Sequence, residues 1–233
     1  KIYNEDMSVL GVKQPDIQPK ATDYIKEMID LIKTLIKNNF AYEKDGHVLF
    51  HVPSFKNYGM LSGRNRDEQI TGSRVEVAPY KKDPTDFVLW KPSPNPLPGW
   101  DSPWGHGRPG WHLECSAMSE QTLGLPFDIH SGGADLIFPH HENEIAQTCA
   151  AHNNTHDLKS FAKYWFHNGF VNVEGEKMSK SIGNIHLVNE LNKEFKGEVL
   201  RLTLISAHYR QPLNWTKNII KQNSTMLNRF YRN

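Results

Sequence analysis

Only two cysteines, Cys115 and Cys149, occur in 233 residues. That is too few for a disulfide scaffold and suits a reducing compartment. No apolar run approaches the ~20 residues of a membrane-spanning helix. With 38% hydrophobic and 23% charged residues the composition is neither membrane-like nor disordered. Charge of one sign is also lacking: Lys+Arg 27 against Asp+Glu 26 leaves +1, so no bulk attraction to nucleic acid or lipid is encoded. A nucleic-acid surface would have to be a local patch. Internal repeats and low-complexity segments are absent, and the opening residues carry neither a secretion-signal nor a transit-peptide pattern. The expectation is a cytoplasmic globular protein with no membrane partner, long enough to bury a sizeable core. The chain opens on Lys1-Ile2-Tyr3 without an initiator Met and closes on a helical pattern with no stop signal. It therefore reads as an internal piece of a longer polypeptide.

What is present is alternation of helix and strand signals. From Thr22 to Asn39, Ile25, Met28, Ile29, Ile32, Leu35 and Ile36 recur at three and four residues, which predicts an amphipathic helix. Val48, Phe50 and Val52 alternate within Gly46–Val52 and predict a strand. Polar sequence from Ser62 to Ser73 reads as loop. Seven of the fourteen prolines lie between Pro84 and Pro109 together with Trp90, Trp100 and Trp104, so this stretch reads as an ordered loop pinned by aromatic burial, with Phe87–Trp90 its one strand. Residues 110–123 read as a helix, Phe127–His130 as a short buried strand, Ser131–Gly133 as a turn and Asp135 to Ala151 as a helix. A strand is predicted over Trp165–Val173, and helices from Val188 onward. The alternation argues for an α/β layer architecture with a largely parallel sheet.

Three constellations could carry chemistry. Gly105-His106-Gly107-Arg108-Pro109-Gly110 spells G-x-G-x-x-G, but a dinucleotide site needs a strand just before it. The proline-rich Pro96–Pro103 cannot supply a central strand, so the spelling reads as a glycine turn entering the next helix. The second is a metal set. Eight of the twelve histidines lie between His106 and His167. Among them His140 and Glu144 are four apart on a predicted helix and so share a face, with Cys115 upstream. All three are zinc-ligand types; the bland alternative is a buried small Cys115 and a surface His140/Glu144 pair. The third is Lys177-Met178-Ser179-Lys180-Ser181, bounded by Gly183, where two lysines and small hydroxyls could meet a polyphosphate. Such a loop is equally compatible with a solvated turn.

Taken as strings, these segments say more. Lys177-Met178-Ser179-Lys180-Ser181 matches the nucleotide-loop signature of class I aminoacyl-tRNA synthetases without deviation. Gly110–Met118 (GWHLECSAM), Phe138–Glu144 (FPHHENE) and Asp83–Lys91 (DPTDFVLWK) resemble cysteinyl-tRNA synthetases, and the resemblance runs over essentially the whole chain. It implies an incomplete Rossmann-type class I catalytic core: 1–26 ending its first half, 27–105 a connective insertion, 106–165 the second half, 166–210 the lysine-loop segment and 211–233 the start of a helical bundle.

The resemblance further implies one zinc held by Cys115, His140 and Glu144, with another cysteine ligand outside this chain and the substrate cysteine's thiolate bound to the metal. Trp111 would wall the amino-acid pocket, Asp135 would face the substrate ammonium and His130 would be a pocket histidine of unassigned role. Lys177 and Lys180, with Ser179 and Ser181, would serve ATP and its Mg2+. The implied activity is cysteine–tRNA ligation with tRNA(Cys), cysteine and ATP as partners, in an enzyme that is monomeric when complete. This chain alone is expected to be inactive, because the H-x-G-H-type half of the nucleotide site and the first zinc cysteine are absent from it. Two alternatives share the same residues: a cysteine ligase of the mycothiol pathway, and a non-catalytic zinc-stabilised paralogue.

Overall fold

A computed structural model describes residues 2–72 and 78–232. Along the chain come α1 (Ile2–Val9), α2 (Ile25–Lys37), β1 (Ala41–Lys44), β2 (His47–Phe50), α3 (Arg66–Gly72), β3 (Phe87–Pro92) and β4 (Gly107–Pro109). Then follow α4 (Trp111–Leu123), β5 (Phe127–Gly133), α5 (Glu142–Ala151), β6 (Ala162–Asn168), β7 (Val171–Val173) and β8 (Glu176–Lys177). The chain continues through α6 (Val188–Leu191), α7 (Gly197–Leu204), β9 (Leu213–Trp215) and α8 (Lys217–Phe230). It divides into two units, one of residues 17–166 and one of residues 1–16 with 167–233.

In the larger unit, α2 buries Met28, Leu31, Ile32 and Leu35 along one stripe, as its periodicity requires. β1 to β4 form one sheet in sequence order, each strand antiparallel to the next. The largely parallel sheet expected from the alternation is therefore not what forms here. Asp45-Gly46, both at positive φ, make a two-residue turn that folds β1 directly back on β2, whereas a parallel neighbour needs a long crossover. Crossover geometry is found in the smaller unit, where β7 pairs parallel with β9 after the intervening α6 and α7.

Several local expectations change: Gly107–Pro109 adds the strand β4 to the 84–109 stretch read as holding one strand, and Leu213–Trp215 is the strand β9 within the region read as helices. Residues 66–72 are helix, not loop, because Asn65 and Glu68 form a reciprocal capping box: Glu68 N–H donates to Asn65 Oδ1 at 3.0 Å and Asn65 N–H to Glu68 Oε2 at 2.9 Å. Ser73, the end of that predicted loop, lies outside the described residues. Ser131–Gly133 continues β5 rather than turning, and only Phe127 of Phe127–His130 is buried. The helix predicted from Asp135 is broken at Phe138, whose backbone is extended at φ −138°, ψ 132°, so α5 proper begins at Glu142.

Every residue of α5 is buried, which makes its two ends the critical joints. At the first turn, Glu142 accepts backbone N–H bonds from Gly59 and Ser62, both 2.9 Å, and from Leu61 at 3.4 Å. At the far end, Asn38 donates to the carbonyls of Ala150 and Ala151 at 3.2 and 2.9 Å, satisfying acceptors that a helix terminus leaves free. Glu142→Ala would strand three N–H groups, at least one of them buried. The expected loss is about 3 kcal/mol, a fall in Tm of roughly 6–12 °C for a unit of this size, readable by thermal denaturation.

Candidate metal centre and nucleotide loop

The metal candidates come together from three places in the larger unit. Cys115 sits on the first turns of α4, His140 on the distorted turn before α5 and Glu144 within α5. Their ligand atoms lie within 4.8 Å of one another. The bland alternative fails on burial, since His140 and Glu144 are buried at 4% and 0% exposure rather than paired at the surface. Cys149, five residues beyond Glu144, instead approaches Ser160 Oγ at 3.3 Å and belongs to the core.

Glu144 is the centre of the arrangement. His140 Nε2 stands 2.6 Å from its Oε1 and His130 Nε2 2.8 Å from its Oε2. These are ion-pair distances, yet neither carboxylate oxygen nor His130 Nε2 has an aligned hydrogen-bond partner. A buried carboxylate with imidazole nitrogens at both oxygens and a thiol close by is a donor set that a cation can use. Burial alone would raise the Glu144 carboxyl, but the two imidazoles hold it down to about 2, so it is anionic. Burial first, then Glu144 and Glu114, push the Cys115 thiol up to about 12, so a nearby cation is what would make it a thiolate ligand. A sulfur, an imidazole nitrogen and a carboxylate oxygen, three protein donors in all, fit a zinc ion with room for more ligands.

Sequence reasoning missed the supporting histidines. His112 Nδ1 lies 2.8 Å from His140 Nδ1. Burial, and then His140 itself, push His112 down to about 4, so it is neutral and able to accept. With a cation bound, His140 would donate from Nδ1 to His112 and turn its Nε2 lone pair to the metal; without one, Nε2 faces Glu144 Oε1 at 2.6 Å. His141 completes a second set with His130 and Glu144, and its ring is 4.7 Å from that of His130. The only signal for these was the density of histidines and the place of His112 beside Trp111.

The Trp111 ring lies 4.2 Å from that of His140, tilted by 30°, with 57% of its surface exposed, so it walls the cluster on the open side. His130 is placed on Glu144 and boxed by Phe127, Phe161 and Trp165. Asp135 is not in the cluster: it is exposed, with its carboxylate folded over Gly133.

The lysine loop lies in the smaller unit, on the hairpin of β7 and β8. Lys177 rests over the Phe170 ring at 4.0 Å, while Lys180 and Ser181 are exposed. Asn184 ties the loop base, accepting from Ser179 N–H at 2.8 Å and donating to Lys177 O at 3.3 Å. Ser179 and Ser181 hydroxyls meet at 3.1 Å.

Residues 1–225 match the family model of the class I (C) tRNA synthetase catalytic domain. The chain belongs to this family. Curated relatives include a cysteine–tRNA ligase of Parvibaculum lavamentivorans, 61% identical over 99% of this chain and 48% of the relative. A cysteine–tRNA ligase of Maricaulis maris is 56% identical over 99% and 49%. The chain of this class I synthetase domain thus spans about half the length of the curated relatives it matches. Among solved structures, a Mycobacterium tuberculosis methionyl-tRNA synthetase in complex with methionyl-adenylate aligns with TM-score 0.65 at 15% identity, over 94% of this chain and 53% of that one. That likeness is one of fold, and the short open sheets of the present chain match an incomplete Rossmann-type core. No helix among the described residues is long and apolar enough to cross a membrane.

Proposed function

We propose that this chain is the metal- and loop-bearing part of a cysteine–tRNA ligase, which activates cysteine with ATP and transfers it to tRNA(Cys). The observation that carries the reading is the Cys115–His140–Glu144 donor set, its histidine and glutamate buried and its cysteine half-buried, beside the open face of Trp111. When bound there, zinc would supply a soft Lewis acid that prefers a thiolate to the hydroxyl of serine, so that selection needs no editing site.

The chain's own residues then have separable tasks. His112 fixes the His140 tautomer and His130 braces the second Glu144 oxygen. Trp111 covers the amino-acid side chain and limits water, and Asp135 receives the substrate ammonium. In the activation step the cysteine carboxylate attacks the α-phosphorus of ATP and pyrophosphate leaves. Lys177 and Lys180 neutralise the phosphate charge of ATP with its Mg2+, with Ser179 and Ser181 as hydrogen-bonding partners. Within the domain, residues 1–26 and 106–165 supply parts of the two catalytic halves, 27–105 the connective insertion, 166–210 the loop segment and 211–233 the entry to a helical bundle. The complete enzyme is read as a cytoplasmic monomer.

Labelled pyrophosphate exchange into ATP by the full-length protein tests this directly. Exchange is expected with cysteine and not with serine, and stripping zinc with a chelator is expected to abolish it. Equal exchange with both amino acids, or none with cysteine in zinc-replete protein, would overturn the assignment.

A further inference from the structure

Gln147 lies one turn beyond Glu144 on the same face of α5 and takes no part in the chemistry above. Its amide nitrogen carries two protons, and two groups of α4 stand ready to accept them: the His112 carbonyl at 3.1 Å and Ser116 Oγ at 2.9 Å. Ser116 Oγ in turn donates to the Glu144 carbonyl at 3.4 Å. His112, Cys115 and Ser116 are spaced by three and four residues, so they share one face of α4. The two acceptors therefore bracket Cys115, and their links run back to the backbone of Glu144. Gln147 and Ser116 are both fully buried.

The other end of the amide is unmatched: Gln147 Oε1 is buried with no hydrogen-bond partner. Turning the amide over would set that oxygen against the His112 carbonyl oxygen, acceptor against acceptor, so the orientation is fixed. A buried acceptor without a donor is a cost to folding. Within α4 the His112 carbonyl is already served by the N–H four residues on, so it does not need Gln147 for its own sake. An apolar side chain of the same length would fill the space without the orphaned oxygen. An amide kept at such a place answers to a demand other than stability. That demand is register. The ligand atoms come from α4 and from the α5 segment, and Cys115 Sγ must stay within 4.8 Å of the His140 and Glu144 donors. Apolar packing is non-directional and does not by itself fix how far one helix slides along another. We propose that Gln147 is a positioning residue for the metal centre, locking α4 against α5 through the His112 carbonyl and Ser116 so that Cys115 meets the cation beside His140 and Glu144. The inference rests on the functional reading above and adds to it a residue that neither ligates metal nor touches substrate.

The test uses full-length protein carrying Gln147→Met, which keeps the length of the side chain and removes both donors together with the orphaned acceptor. Zinc affinity is measured by competition with a chromogenic chelator. The cobalt(II)-substituted protein reports the bond from Cys115 to metal through its thiolate charge-transfer absorption. Zinc affinity is expected to fall roughly tenfold, as when a group that orients ligands is removed, and the charge-transfer band to weaken. The Tm of the zinc-free protein is expected to stay within about 3 °C of the parent. At saturating zinc the KM for cysteine should rise several-fold, while the KM for ATP, which falls to the Lys177–Ser181 loop, stays unchanged. Unaltered zinc affinity and cobalt spectrum in a folded Gln147→Met protein overturn the proposal. A lowered zinc-free Tm with an unaltered cobalt spectrum also overturns it, and makes Gln147 a packing residue only. Should the Met variant not fold, Ser116→Ala decides: it removes one of the two acceptors and should lower zinc affinity about threefold, half of the Gln147 effect in free energy. No change in that variant overturns the proposal. Failure of the unsubstituted protein to bind zinc would show separately, and would remove the reading beneath the proposal together with it.

Discussion

Glu144→Gln in the full-length protein is expected to lower zinc affinity by roughly 100-fold or more, since removal of supporting groups alone costs metal sites 10–100-fold. Glu144 supplies both the anionic donor and the group that holds two imidazoles in place, at 2.6 and 2.8 Å. The amide keeps the volume of the side chain but loses the charge, in a position of 0% exposure. His130 and His140 lose their anionic partner at the same time, so some stability should be lost with the metal. Zinc content after gel filtration and the cysteine-dependent exchange rate are the readouts. Cys115→Ser separates the two effects, because Cys115 is only partly buried and the swap is nearly isosteric. It should keep the fold, by circular dichroism, and still lose metal and exchange. A Glu144→Gln protein with full zinc content would remove Glu144 from the ligand set.

The second large effect is structural and lies at Gly110. A Cβ there would stand 2.0 Å from the Val88 carbonyl oxygen and 2.9 Å from its carbon, backbone atoms of the strand β3 that cannot swing aside. Gly110 also caps α4 and donates its N–H to Leu89 O at 2.8 Å. Gly110→Ala must therefore push the start of α4 off the sheet, at an expected cost of about 3 kcal/mol, the upper part of the range for overpacking. The displacement begins one residue before Trp111 and five before Cys115, so zinc affinity should fall along with Tm. Thermal denaturation with and without added zinc measures both. A Tm within a degree of the parent would show that the helix start is free to move.

Gly110 also shows what sequence spelling conceals. Gly105, Gly107 and Gly110 imitate a dinucleotide fingerprint, but each glycine has a separate local reason, conformational at Gly105 and steric at the other two. Gly105 sits at φ +99°, and a Cβ on Gly107 would meet Trp90 Nε1 and Lys91 O at 2.4 and 2.5 Å. Helices α2 and α4 were legible because one stripe of each had to be buried or one cap had to stop it. The one-face spacing of His140 and Glu144 was legible for the same reason, even though the helix breaks at Phe138 just before them. Two signals were present and unused: Asp45-Gly46 announces the β1–β2 hairpin, and Asn65-x-x-Glu68 announces α3. Strand partners were not legible at all, since alternation says which face is buried and nothing about the neighbour. The meeting of His112 with His140, and the hold of Gln147 on α4, depend on chain segments far apart in sequence.

The fastening of α5 at Glu142 and Asn38 has a consequence for traffic. A helix buried on every side and held at both ends cannot fray to let an ion slip out. Among the routes out of the Cys115–His140–Glu144 set, the one past the exposed indole of Trp111 needs no unfolding of the larger unit. Replacing Trp111 by alanine is therefore expected to shorten the residence time of a cation held there.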